Sequence, residues 1–144
     1  MIRIHVFNTH RKYRILPREA KRLARQVLRQ EEYSRADITI VFVTDKHITD
    51  LNGRYLKHWR STDVLSFTLS EPRSKIMEGE VYISLDHARR QAQQYGVTIR
   101  CEVARLIVHG ILHVAGYDDR TKQQKKRMTR LEDRYLLRMN YLRK

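Results

Sequence analysis

The chain has 144 residues, with 30 Lys and Arg against 16 Asp and Glu, a net charge of +14 at pH 7 and a pI near 10.3. That length suits one domain over residues 1–144 with a core of its own, and the charge predicts a polyanionic partner, nucleic acid above all, and a self-repelling monomer. One cysteine, Cys101, excludes an internal disulfide and a cysteine-based zinc knuckle and reads as a small buried filler; with no signal-peptide core and no apolar run near the ~18 residues of a membrane span, a cytoplasmic protein without a membrane partner is expected.

Ile2, Ile4 and Val6 alternate with Arg3 and His5, which predicts a strand with one wet face. Pro17 suits a first helical turn, and Ala20, Leu23, Ala24, Val27 and Leu28 follow at helical spacing. Ile38 to Val43 is a β-branched run, apolar on both sides, and reads as a covered strand. Thr44 or Asp45 can cap a helix whose inner face is Ile48, Leu51 and Tyr55. Val64 to Leu69 and Val81 to Ser84 predict two more strands, joined by a loop or long hairpin over 70–79. Asp86 to Tyr95 is a short helix closed by Gly96, and Thr98 can cap the next one. From Lys122, Met128, Leu131, Tyr135, Met139 and Leu142 step by three or four along a last amphipathic helix. The order implies an α+β fold, a mixed sheet of about four strands packed on helices.

The helix after Thr98 carries the chemistry. Val103, Ala104, Leu106, Ile107, Val108, Ile111, Leu112, Val114 and Ala115 make it apolar on nearly every side, so it should be buried. His109 and His113 lie four apart on it, their Cβ atoms about 5–6 Å from each other, so both imidazoles can reach one ion at about 2.0–2.1 Å. Gly116 can adopt φ > 0 and turn the chain, letting Asp119 come back as a third ligand; Asp118 is a rival that spacing does not exclude. Three protein ligands leave a coordination position open, the mark of a catalytic site. The plainer alternative is a pair of core histidines bonded to backbone carbonyls.

Three blocks of this chain resemble the YbeY-type endoribonucleases. Leu51-Asn52 with Ser61-Thr62-Asp63-Val64-Leu65-Ser66-Phe67 is similar to that family's L-N … T-D-V-L-S-F. Gly79-Glu80-Val81-Tyr82-Ile83-Ser84 stands where the family shows G-D-I and a short strand. His109-Gly110-Ile111-Leu112-His113-Val114-Ala115-Gly116-Tyr117-Asp118-Asp119 matches H-G-x-L-H-x-x-G-Y-D-H except at its last position. The resemblance implies a zincin-like metal-site helix and one divalent ion, most simply zinc. It also implies a metal-dependent endoribonuclease specific for single strands, which matures the 16S rRNA 3′ end, takes part in ribosome quality control and works with the small ribosomal subunit. Two departures stand out. Asp119 replaces the third family histidine; a carboxylate is still a good ligand, but it makes the ion a weaker Lewis acid and favours harder metals. Leu56 replaces an arginine that the family places in its active site, and Arg54, Lys57 or Arg60 could supply a cation from the same segment.

A general base is not assigned by sequence. Asp118 and Glu102 are candidates, Glu102 because it lies two turns before His109; compensation of the helix dipole is its simpler role. A metalloprotease is the rival enzyme, but its H-E-x-x-H needs a glutamate where Gly110 stands. The non-enzyme alternative is an RNA- or ribosome-binding maturation factor with a structural metal. Lys122, Lys125, Lys126, Arg127, Arg130, Arg134 and Arg138, against only Glu132 and Asp133, make the last helix a candidate RNA surface; Arg60, Lys122, Lys125, Lys126 and Arg130 are the candidate nucleic-acid-binding residues.

Overall fold

The computed structural model describes residues 1–71 and 74–142. In chain order these form β1 (Ile2–Asn8), α1 (Pro17–Gln30), β2 (Ala36–Val43), α2 (Asp45–Leu56), β3 (Val64–Thr68), β4 (Met77–Ser84), α3 (Leu85–Tyr95), α4 (Ile99–Val114) and α5 (Lys122–Arg138). The sheet order is β1-β2-β4-β3, with β1, β2 and β4 parallel and β3 antiparallel to β4. This is the α+β architecture that the element succession predicts.

Local chemistry places the helix ends. Pro17 opens α1. Thr44, Ser84, Thr98 and Thr121 each stand at an N-cap and accept a backbone N–H three residues on, worth about 0.5–2 kcal/mol apiece. Thr121 and Gln124 complete a reciprocal capping box. Gly96 closes α3 at φ +66°.

One sheet face carries the main core. Ile38, Ile40 and Phe42 of β2 pack there with Leu23 and Val27 of α1, Leu85 of α3 and Ile107 and Ile111 of α4. α5 closes over α4 through Met128, Tyr135 and Leu136. The other face meets α2 over a small cluster of Val43, Ile48 and Leu65, with Val41, Phe67 and Tyr82 half-buried. β2 is therefore sealed on one side and only partly covered on the other.

Several expected boundaries move. β4 begins at Met77, not Val81, because it pairs in parallel with all of β2, Ala36 opposite Met77; Gly79 hides the alternation of this strand. The expected 70–79 loop thus loses its last three residues to β4, and its Pro72 and Arg73 lie outside the described residues. β3 stops at Thr68, one residue short of Leu69. Tyr55 is 66% exposed rather than on the inner face of α2; there Asn52 and Gly53 are buried instead, since the chain after the helix folds back over them. Cys101 is half-buried, a partly covered filler at the start of α4. Met139 caps α5 and Leu142 lies past its end.

Candidate metal centre

α4 lies directly on the sheet. A Cβ on Gly110 would stand 2.4 Å from Val81 Cγ1, and one on Gly79 would stand 2.5 Å from Val114 Cγ1. A side-chain-free position on each element permits this approach. β3 is tied to the same turns of the helix: Ser66 Oγ donates to the Gly110 carbonyl at 3.1 Å and Thr68 Oγ1 to the Val114 carbonyl at 3.3 Å. Gly110 is thus a packing point against β4, with no room for the glutamate of a zincin protease.

The end of α4 is shaped by Gly116 at φ +103°. Gly116 N donates to His113 O and Tyr117 N to Leu112 O, each at 3.0 Å, the paired bonds of a Schellman turn. Tyr117 Oη donates to Glu31 Oε1 at 2.6 Å, which pins the following loop to the end of α1. The turn returns Asp119 to the histidines.

His109 Nε2 and His113 Nε2 are 3.0 Å apart, and Asp119 Oδ2 lies 3.6 Å from the first and 3.5 Å from the second. Four tetrahedral ligands at about 2.0–2.1 Å from an ion stand about 3.3–3.4 Å from one another. The three atoms match that spacing closely. Two imidazole nitrogens aimed at each other at such a distance need a proton or a cation between them, so the donor set fits a small divalent ion. The three side chains form one wall of an open cleft of about 370 Å³ whose other wall is Thr62 to Ser66. Room for solvent and a substrate oxygen remains.

A carboxylate that sequence reasoning missed stands behind His109. Glu132 of α5 is only 6% exposed, and its Oε2 lies 2.7 Å from His109 Nδ1. Because a carboxylate only accepts, Nδ1 carries the hydrogen and Nε2 keeps its lone pair for the cleft. Arg105 holds Glu132 Oε1 at 2.9 Å and Asp133 Oδ1 at 2.8 Å. Burial, the largest single influence, opposes protonation of His109, but the hydrogen bond and charge of Glu132 together with the charges of Asp119 and Asp63 outweigh it; the pKa of His109 is raised. The only sequence signal for this partner was an acidic pair in an otherwise basic helix, next to core positions Leu131 and Tyr135.

The other candidates lie elsewhere. Asp118 faces Arg120 at 3.8 Å and stands outside the group of three. Glu102 is 4% exposed; burial, with Asp63 and Glu132 adding, pushes its pKa up to about 7 against the pull of Arg105. It is not among the residues lining the cleft. Arg54 is paired with Asp50 at 3.1 Å; Lys57 caps α2 in the left-handed region; Arg60 is exposed in the loop beyond. Leu56 is exposed at the end of α2. Among the described residues lining the cleft none is Lys or Arg. Lys122, Lys125, Lys126 and Arg130 are exposed on α5.

The family model described as Endoribonuclease YbeY matches residues 5–140 of this chain. A protein of that name from Pelotomaculum thermopropionicum is 40% identical over 129 residues, covering 85% of each chain. The one from Cytophaga hutchinsonii is 32% identical over 131 residues, covering 90% of this chain and 91% of its own. The solution structure of TM1509 from Thermotoga maritima has a TM-score of 0.65 at 22% identity, covering 95% of this chain and 91% of that one; the likeness concerns the fold.

Proposed function

Since this chain belongs to the endoribonuclease YbeY family, we propose that it is a metal-dependent endoribonuclease that cuts single-stranded RNA. Its proposed role is in ribosomal RNA maturation, at the 3′ end of 16S rRNA, and in ribosome quality control. It acts there as a cytoplasmic monomer on the small ribosomal subunit. Residues 1–144 act as one catalytic domain. The observation that carries the reading is the triangle of His109, His113 and Asp119 on the wall of an open cleft, with Glu132 behind it.

His109, His113 and Asp119 would hold one divalent ion, zinc in the simplest case. When bound, such an ion polarises a phosphoryl oxygen and lowers the pKa of water toward about 7. The protein's own residues do the rest. Glu132 fixes the tautomer of His109, and Arg105 holds Glu132 in place. Asp119 brings a negative charge that a third histidine would lack. Asp63 is fixed at the opposite rim, its Oδ1 accepting from Val64 N at 2.8 Å and its Oδ2 from Gln91 at 3.2 Å. No Lys or Arg is among the described cleft residues, so His109, His113 and Asp119 would hold the ion that could supply positive charge to the phosphate there. Lys57 and Arg60 are nearest in sequence to the rim.

The test compares zinc-loaded protein, chelated protein and His113→Ala on a labelled single-stranded RNA carrying a 16S 3′ end. Loaded wild type should cut; the other two should not, while His113→Ala keeps its circular dichroism and its RNA binding. Cutting by folded His113→Ala at the wild-type rate overturns the proposal. Loss of fold in His113→Ala assigns the ion a structural role. A 2′,3′-cyclic phosphate on the product would identify the ribose hydroxyl, not water, as the attacking group.

A further inference from the structure

We propose that Trp59 is a base-stacking subsite, its indole seated on Gly53 and its open face taking one unpaired base of single-stranded RNA beside the cleft. The inference rests on the RNA-cutting reading above and adds the group that grips the strand. Trp59 is 66% exposed, yet its ring is not loose. Its Cδ2, Cε3 and Cε2 lie 2.0, 2.1 and 2.4 Å from where a Cβ on Gly53 would be. One face of the indole therefore rests on bare backbone, and any other residue at 53 would displace it.

The loop that carries the ring is tied down as well. Lys57 N donates to Gly53 O at 3.2 Å and His58 N to Asn52 O at 3.1 Å. The buried Asn52 reaches back with Nδ2 to hold Arg60 O at 3.0 Å. A rigid aromatic platform open on one side loses little freedom when a flat ring is laid on it. Every base offers such a face, so stacking grips single strands without reading their sequence.

Charge and position agree with that occupant. Among the described residues, Lys57 and Arg60 on either side of Trp59 make no ion pair. A groove of about 620 Å³ runs from Trp59 along α2 past Arg54, His47 and Lys46, and the carboxylate within it, Asp50, is already bonded to Arg54. Arg54 and Asp50 offset each other, so phosphates can follow the charges of Lys46, Lys57 and Arg60. Trp59 stands three residues before Thr62, on the rim of the metal cleft, so at most about 11 Å of chain separates platform and rim. The stacked base is then a near neighbour of the bond that is cut.

Trp59 is the sole tryptophan of the chain, so its fluorescence reports on the subsite directly. The probe is a uridine dodecamer with chelated protein, binding being followed in parallel by the anisotropy of a labelled copy. Emission should be quenched with the same midpoint as the anisotropy change. Trp59→Leu, which keeps an apolar group on Gly53 but no ring, should weaken binding about tenfold or more and raise KM with kcat retained in the loaded enzyme. Trp59→Phe should stay close to wild type. Binding without any change in Trp59 emission, or equal affinity in Trp59→Leu, overturns the subsite and leaves the nuclease reading standing. A blue shift with anionic vesicles but not with RNA overturns it in favour of a membrane surface. If wild type neither binds nor cuts the RNA, both proposals fall.

Discussion

Glu102 makes a quantitative test of how the core beneath the cleft is built. It lies in the first turn of α4, 4% exposed, and no donor among the described residues bonds its carboxyl. Its pKa rises from the ordinary 4.5 to about 7, burial being the main cause. Between those values the folded protein holds a proton that the unfolded chain has released, so stability falls as pH rises through this window. A shift of that size amounts to about 3 kcal/mol at pH 8, an upper bound once the surroundings relax. Glu102→Gln removes the titration but keeps the shape. The two chelated proteins should unfold in nearly the same urea concentration at pH 5. At pH 8 the variant should be more stable by up to about 3 kcal/mol, or roughly 6–12 °C in Tm. Because the residue sits off the cleft, the variant should also keep cutting RNA. Parallel stability curves for the two proteins from pH 5 to 8 refute the buried-acid reasoning. Loss of cutting in the folded variant restores Glu102 as a general base.

Gly110→Ala should destabilise by about 1–3 kcal/mol, because the new methyl meets Val81, even though alanine is the better helix former by about 1 kcal/mol; a variant as stable as wild type in urea denies the close approach. Glu132→Gln should lower zinc affinity about 10–100-fold, measured by competition with a fluorescent chelator, and an unchanged affinity removes Glu132 from the support of His109. RNA binding should weaken steeply with salt, and replacing Lys122, Lys125, Lys126 or Arg130 by alanine should reduce the log–log slope by about one for each phosphate no longer neutralised. A flat response between low and moderate salt argues against a polyanionic partner.

What could be read in the one-dimensional chain is what short-range geometry encodes. The i, i+4 spacing of His109 and His113, the turn at Gly116, the cap at Thr98 and the basic charge of α5 depend on residue type and a few neighbours. They suffice to place two imidazoles on one helix face with a carboxylate following, and the motif blocks around them carry the family. The misplaced features are those set by packing between distant segments. β4 is long because it pairs with the whole of β2, and Tyr55 turns outward because Trp59 and its loop cover Asn52 and Gly53.

Only the tertiary structure decides the environment of the three side chains. It turns Asp118 toward Arg120 and Asp119 toward the imidazoles, a choice that adjacent identical residues cannot announce. It brings Glu132 and Arg105 from two different helices behind His109, and it presses Gly110 onto Val81 where a protease would need its glutamate. Local sequence sets backbone torsions, which repeat every few residues; which side chains meet across the core depends on how α4 and α5 settle on the sheet, and that is settled by excluded volume over the whole chain.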